Sequence, residues 1–130
     1  MATLINPPGS EDTYEHWHFS QAVQHGDQVW VSGQVGLGPD GAPDDLAGQA
    51  RLAFQSLERV LGAAGATLKD VVELVTYHVD MDLRSFGKVK DEFFPKDYPA
   101  WTAVGVTALA LPALKVEIRA TAIVGSGQSR

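Results

Sequence analysis

Cysteine is absent from this chain of 130 residues, which excludes disulfide bonds, thiolate catalysis and zinc sites built on sulfur. Long apolar runs are absent too, since no stretch approaches the roughly 18 residues that a membrane-spanning helix needs. The first residues lack the basic and apolar regions of a secretory signal peptide. We therefore expect a cytoplasmic protein that has no membrane partner.

Positive charge is scarce, because ten Lys and Arg among sixteen Asp and Glu give a net charge of −6 at pH 7. Proteins that bind nucleic acids usually concentrate basic residues on one surface to neutralise phosphates. The scattered cations of this chain predict no nucleic-acid partner. The glycine-rich stretch 36–41 has no lysine and no GKS/T ending, so turn geometry explains it better than a phosphate loop. We expect no cofactor.

Metal ligands are few. His16 and His18 are two residues apart, so on a strand they would share a face and could ligate one metal ion. No carboxylate motif completes such a set, and we expect two surface histidines and no metal site.

The length predicts one domain. We place it at residues 15–124, between a flexible leader of residues 1–14 and a polar tail of residues 125–130. The leader contains the turn-rich Asn6-Pro7-Pro8-Gly9-Ser10.

Alternating apolar residues predict five strands, at 17–23, 28–35, 71–79, 101–106 and 114–124. Gly26-Asp27 is typical of a hairpin turn between the first two. Gly33 interrupts the second strand, which predicts a bulge or a close backbone approach.

Two helices are predicted by apolar residues at spacings of three and four. Asp44 or Asp45 would cap the first helix, and Gly62 or Gly65 would end it. Asp82 would cap the second helix. The stripe of the first consists of Leu46, Ala50, Ala53, Phe54, Leu57 and Leu61, and that of the second of Leu83, Phe86, Val89 and Phe93.

The resulting order, ββαβαββ, predicts an α+β fold in which two helices cover one face of a single sheet. Nothing in the chain covers the other face, where several residues are apolar or aromatic. An uncovered face of this kind usually marks a partner surface, so we predict a homo-oligomer.

Glu117 is the strongest candidate for a catalytic residue. In the last predicted strand it shares a polar face with Lys115, Arg119 and Thr121, while alternate residues are apolar. One interpretation is a surface carboxylate paired with Lys115, Arg119 or a neighbour on the next strand. The other is a carboxylate buried against another subunit, where it could activate a water molecule or take a proton.

Six stretches of the chain follow one another in a recognisable order. They are FSQAV at 19–23, VSGQ at 31–34, AGQARLAFQSLERVLGAAGATLKDVV at 47–72, VDMDL at 79–83, YPAWTAVGV at 98–106 and LKVEIRATAIV at 114–124. These collinear stretches resemble the RidA/YjgF family, whose members are also labelled L-PSP endoribonucleases. The resemblance covers roughly residues 15–124, which is far more specific than any single motif.

The resemblance implies a chorismate-mutase-like unit that forms a homotrimer with a barrel-like core and small-molecule clefts between adjacent subunits. It also implies hydrolysis of reactive 2-imino or enamino acids to 2-keto acids, with release of ammonia. Glu117 would be the catalytic residue. The substrate-binding residues would be Phe19, Ser32, Gly33, Trp101, Thr102, Ala103 and Arg119.

Three of these positions depart from the pattern that the resemblance implies. Active deaminases of the family have an arginine that clamps the substrate carboxylate where this chain has Trp101, and an indole supplies no charged fork. Phe19 stands in place of a tyrosine, and Ala103 stands where cysteine is frequent. We therefore predict a divergent hydrolase or deaminase that acts on a small, more apolar or uncharged metabolite. The alternatives are a non-catalytic small-molecule binder and a protein-interaction trimer.

Overall fold

One mixed sheet dominates the computed structural model, which describes residues 1–129, with side chains up to residue 127. Within this part of the chain six strands pair in the order β1-β2-β3-β6-β4-β5. β4 and β5 are parallel, and the other neighbours are antiparallel. The strands are β1 Thr3–Ile5, β2 Ala22–His25, β3 Gln28–Val35, β4 Val71–His78, β5 Ala100–Gly105 and β6 Val116–Ile123.

The two predicted helices are confirmed as α1, Leu46–Ala63, and α2, Leu83–Phe93. The Asp45 carboxylate caps α1 by accepting a hydrogen bond from the Gly48 amide at 3.0 Å. Asp82 caps α2 in the same way through the amide of Ser85, at 3.2 Å. Both caps satisfy amide groups that have no partner inside the helix, so both helices begin where the sequence predicts.

Both helices pack on the same face of the sheet, where Phe54 of α1 is the centre of the core. Its ring lies 5.6 Å from that of Phe86 and 5.1 Å from that of Phe93, between centroids. Alternate residues of the central strands fill the space beneath the helices. These buried sheet residues include Val29, Val31, Leu74, Val116, Ile118, Ala120 and Ala122. The predicted α+β fold with both helices on one face is confirmed.

The first predicted strand is wrong over residues 17–21. Thr13–Trp17 form a π-helical turn, and His18 that follows has a φ of 61°, in the left-handed region. A residue in this conformation cannot belong to an extended strand. The strand begins only at Ala22. His16 and His18 therefore do not share a strand face, and the His16 side chain lies 2.7 Å from the Asp12 carboxylate.

Both ends of the chain are more structured than predicted. Thr3–Ile5, inside the predicted flexible leader, form β1 and pair with β2. In the predicted polar tail, Ser126–Ser129 form a 3₁₀ turn, and the Gly127 amide donates to the Asp70 carboxylate at 2.9 Å. Arg130, the last residue of that tail, lies outside the described residues. No helix of the described chain is both long and apolar enough to cross a membrane.

The second face of the sheet is covered by no element of the described chain, and we call it the open face. Its side chains alternate with the buried ones, as strand pairing requires. Trp30, near its centre, is 43% exposed. By strand register the open face includes Val23, Trp30, Val35, Glu73, Val75, Tyr77, Thr102, Val104, Glu117, Arg119 and Thr121.

Candidate functional site

Glu117 lies on the open face, in β6 between Val35 of β3 and Tyr77 of β4. Val116 and Ile118, its neighbours in sequence, are fully buried under the helices, which directs Glu117 the other way. Its carboxylate makes no hydrogen bond or ion pair with any described residue. The interpretation as a carboxylate paired with Lys115 or Arg119 is therefore not what the structure shows.

Gly33 leaves the space that the Glu117 carboxylate occupies. The pairing of β3 with β6 shifts between Val31 and Gln34, so the bulge predicted at Gly33 is confirmed. A Cβ atom at Gly33 would lie 2.5 Å from Oε2 of Glu117 and 2.6 Å from its Cδ. The predicted close approach is also confirmed, because a side chain at this position would displace the carboxylate.

Burial raises the pKa of the Glu117 carboxyl group, because the ionised form loses water and gains no cation or hydrogen bond in exchange. A carboxyl group with a raised pKa donates and accepts protons closer to neutral pH than an ordinary glutamate does. Glu117 is therefore a candidate general acid–base group.

A cleft of about 580 Å³ is lined in part by Gly33, the residue that borders the Glu117 carboxylate, and we call it the leader cleft. It is bounded by residues 7–10 of the leader, by the end of β3 and by α1. Phe19 and Gly33 both line it, so the structure brings two of the predicted binding residues together. Of these two, Gly33 borders Glu117, which is not itself a lining residue of the cleft. Its apolar lining includes Phe19, Val35, Leu37 and Val60.

Ser32, a third predicted binding residue, is held by the segment that precedes β2. Its hydroxyl donates to the Ser20 carbonyl at 2.7 Å, and its amide donates to the Gln21 carbonyl at 2.8 Å. Ser32 thus fixes the path of the chain at Phe19 and has already used its hydroxyl proton.

Trp101 lies on the opposite face from Glu117. Its register partner is Leu74, a buried residue of the helix side, and its ring centroid is 6.0 Å from that of Phe86. The indole Nε1 donates to the Thr76 hydroxyl at 2.9 Å. Within one chain Trp101 therefore does not meet Phe19 or Glu117, and any crevice that joins them would involve more than one copy.

The remaining predicted residues divide between the two faces. Ala103 pairs with the buried Thr76 and belongs to the helix side. Thr102 and Arg119 flank Val75 on the open face, in the row next to Glu117. Thr102 and Arg119 thus lie on the same face of the sheet as Glu117.

Two polar features of the structure were not predicted from the sequence. Lys90 is only 6% exposed, and its Nζ lies 4.6 Å from the centroid of the Trp101 ring, a cation–π arrangement. Its position four residues after Phe86, on the apolar side of α2, was the available indication. The second feature is a chain of polar side chains in the leader cleft, Gln21, Gln34, Ser56 and Arg59.

Residues 12–124 match the family model described as Endoribonuclease L-PSP. The chain belongs to this family. The RidA/YjgF resemblance is thereby confirmed, and the site residues named above all lie within the matched range.

Individual Endoribonuclease L-PSP relatives agree with this assignment. The RutC family protein YjgH of Escherichia coli is 42% identical over 112 residues, which cover 83% of this chain and 86% of the relative. A crystal structure of a YjgF/YER057c/UK114 family member from Mycobacterium tuberculosis is 38% identical with a TM-score of 0.83, covering 95% of this chain and 100% of that one. The 2-iminobutanoate/2-iminopropanoate deaminase of Mus musculus is 34% identical over 111 residues, with 82% of each chain covered.

Proposed function

We propose that this protein is a hydrolase that deaminates a small metabolite in a cleft beside Glu117. The observation that carries the proposal is the Glu117 carboxyl group itself, which is half-buried, unpaired among the described residues and given its space by Gly33. The similarity to a 2-iminobutanoate/2-iminopropanoate deaminase supplies the reaction class.

Hydrolysis of a C=N bond suits a single acid–base group. A water molecule adds to the carbon atom, and the Glu117 carboxylate takes the proton that the water gives up. The carboxyl group then returns this proton to the nitrogen atom. The hydroxyl group of the carbinolamine so formed then gives its proton to the Glu117 carboxylate, which passes it to the amino group. Ammonia leaves, a C=O bond forms, and Glu117 ends in its starting state.

The preferred substrate is expected to differ from that of the standard deaminases. The family resemblance implies an arginine clamp at position 101, and here the Trp101 N–H is already bonded to Thr76 within the chain. An indole so engaged offers no charged fork to a carboxylate at that position. We therefore expect weak activity for substrates that depend on a cation at position 101.

A homotrimer is part of this proposal, because the open face carries Trp30, Val104 and other apolar side chains that no described element covers. Further copies that pack on this face would enclose Glu117 and exclude water from it. A cytoplasmic location and the absence of membrane and nucleic-acid partners stay predictions.

The test is ammonia release from imines generated in situ by an amino-acid oxidase acting on neutral, aromatic and acidic amino acids. Glu117→Gln is expected to lower kcat by about 10²–10⁴-fold, the usual contribution of a general acid–base group. Glu73→Gln is the matched control, since Glu73 is an exposed carboxylate that pairs with Thr121 and Ala100 in the same sheet. Equal rates for Glu117→Gln and the wild type would refute the assigned role.

A non-catalytic small-molecule binder is the second candidate. It is favoured because the Ser32 hydroxyl and the Trp101 N–H already donate hydrogen bonds within the chain. Neither proton is then free to bind a substrate beside Glu117. If no imine in the panel is hydrolysed faster than in buffer while ligands still bind, this candidate replaces the hydrolase.

A further inference from the structure

Arg59 stands at the α1 side of the leader cleft, and it lines the cavity together with Ser56, one turn earlier on the same helix. Residues three apart on a helix are neighbours on its surface. Both side chains face the end of β3, where Gly33 and Gln34 complete the wall. The cleft thus contains a guanidinium group at one side and the glycine that borders Glu117 at another.

The exposed side chain of Arg59 is joined by one hydrogen bond to a chain of polar side chains. Its Nη2 donates to the Ser56 hydroxyl at 3.3 Å, and that hydroxyl donates to Oε1 of Gln34 at 2.6 Å. Nε2 of Gln34 in turn donates to Oε1 of Gln21 at 3.0 Å and to the Ser32 carbonyl at 3.1 Å.

Gln34 is the rigid centre of this chain, because it is only 5% exposed and uses both ends of its amide. Its bonds run in one direction, from donor to acceptor, starting at the guanidinium group. The part of the network around Gln34 holds one arrangement of side chains, and Arg59 joins it at its exposed end.

Arg59 has no carboxylate partner among the described residues, in contrast to the other arginine of α1. Arg51 forms a two-point pair with Glu92, at 3.1 Å from Nε and 2.8 Å from Nη2. A guanidinium group has five N–H donors in a planar fork that matches a carboxylate. Arg59 uses one of them within the protein, so the fork remains open toward the cleft.

The rest of the lining suits the carbon skeleton of a small acid. Phe19, Val35, Leu37 and Val60 supply apolar surface, and the volume of about 580 Å³ admits a small metabolite. We propose that Arg59 binds the carboxylate of a small organic acid in the leader cleft, with the apolar part of that ligand on Phe19 and Val60.

This inference rests on the proposed function and names its substrate class. The anionic group of the substrate is recognised from α1, at Arg59, and not from β5, at Trp101. It also revises the expectation of an uncharged metabolite that the absence of an arginine at position 101 suggested.

Calorimetric titration of the full-length protein with 2-oxobutanoate tests the inference, with its uncharged methyl ester as the second probe. This acid is the product that deamination of 2-iminobutanoate would release. Arg59→Gln is expected to weaken binding of the acid about tenfold or more, in line with hydrogen bonds to a charged group. Arg59→Lys keeps the charge without the fork and is expected to weaken binding less.

Arg51→Gln is the matched control, an α1 arginine that is paired with Glu92 and does not line the cleft. It is expected to bind the acid as the wild type does. Two results would overturn the inference: equal affinity of Arg59→Gln and the wild type for the acid, or equal affinity of the wild type for the acid and the ester.

The two proposals fail separately in this design. Loss of acid binding in Arg59→Gln with unchanged hydrolysis in Glu117→Gln would leave the carboxylate site and remove the hydrolase. Unchanged binding in Arg59→Gln with lost hydrolysis in Glu117→Gln would do the reverse.

Discussion

The two faces of the sheet differ in what explains their side chains. On the helix side, Leu74, Ile118 and their neighbours are fully buried, and the hydrophobic effect accounts for each of them. On the open face, Trp30 remains partly exposed and Glu117 is without a partner in the described chain. Folding of a single copy therefore explains one face, whereas the proposed association of copies would account for the other.

The largest expected effect is a difference in stability between variants of the helix side and variants of the open face. Phe54→Ala removes the ring at the centre of the core and should lower the free energy of unfolding by about 3–5 kcal/mol. Trp30→Ala on the open face should instead act through assembly, so its effect should depend on protein concentration. Urea denaturation at several concentrations measures both. A cost for Trp30→Ala that matches Phe54→Ala at every concentration would contradict the distinction.

The next comparison is between Gly36, which contacts α1, and Gly33, which contacts Glu117. A Cβ atom at Gly36 would overlap the backbone carbonyl of Gln49 in α1, which cannot move aside. Gly36→Ala should therefore cost about 1–3 kcal/mol of unfolding free energy.

Gly33→Ala is its counterpart on the open face. Here the three atoms nearest to the new methyl group all belong to the flexible side chain of Glu117, which can rotate away. We expect a cost within about 1 kcal/mol, with loss of hydrolysis because the carboxyl group is displaced. Thermal denaturation and ammonia release measure the two quantities. Full activity in Gly33→Ala would show that the position of Glu117 does not matter.

The smallest expected effect is a pH dependence of the folding stability, caused by Glu117. Burial raises the pKa of Glu117 in the folded protein, so above about pH 4 the unfolded chain releases this proton first. Wild-type stability then loses a contribution as the pH rises, until the folded carboxyl group also ionises. Glu117→Gln is neutral throughout, so its stability relative to the wild type should increase from pH 4 to pH 7. A constant difference between their urea midpoints would show that Glu117 is solvated as an ordinary glutamate.

Local patterns in the sequence were sufficient for most of the fold. Asp45 and Asp82 begin their helices through contacts three residues away, and Gly33 forms a bulge that its place in the strand indicated. The failures have local or long-range causes that the alternation pattern does not contain. His18 adopts a left-handed conformation that interrupts the first predicted strand near its start. Thr3–Ile5 form a strand only by pairing with β2.

The candidate site was less accessible to sequence reasoning because its members come together through tertiary structure. Arg59 meets Gln34 through Ser56, from a helix and a strand that are separated by a long loop. The face on which Trp101 lies depends on the parallel register of β5 with β4, which the sequence does not specify. The face on which Glu117 lies could be predicted, because alternation in β6 alone assigns it to the polar face.

Light scattering of the wild-type protein at micromolar concentration tests the central claim most directly, that further copies cover the open face and enclose Glu117. The account predicts a mass of three times the 13.9 kDa of the chain, and a lower mass for Trp30→Asp, which places a charge on that face. A wild-type mass of 13.9 kDa would leave Glu117 facing solvent and would contradict the account.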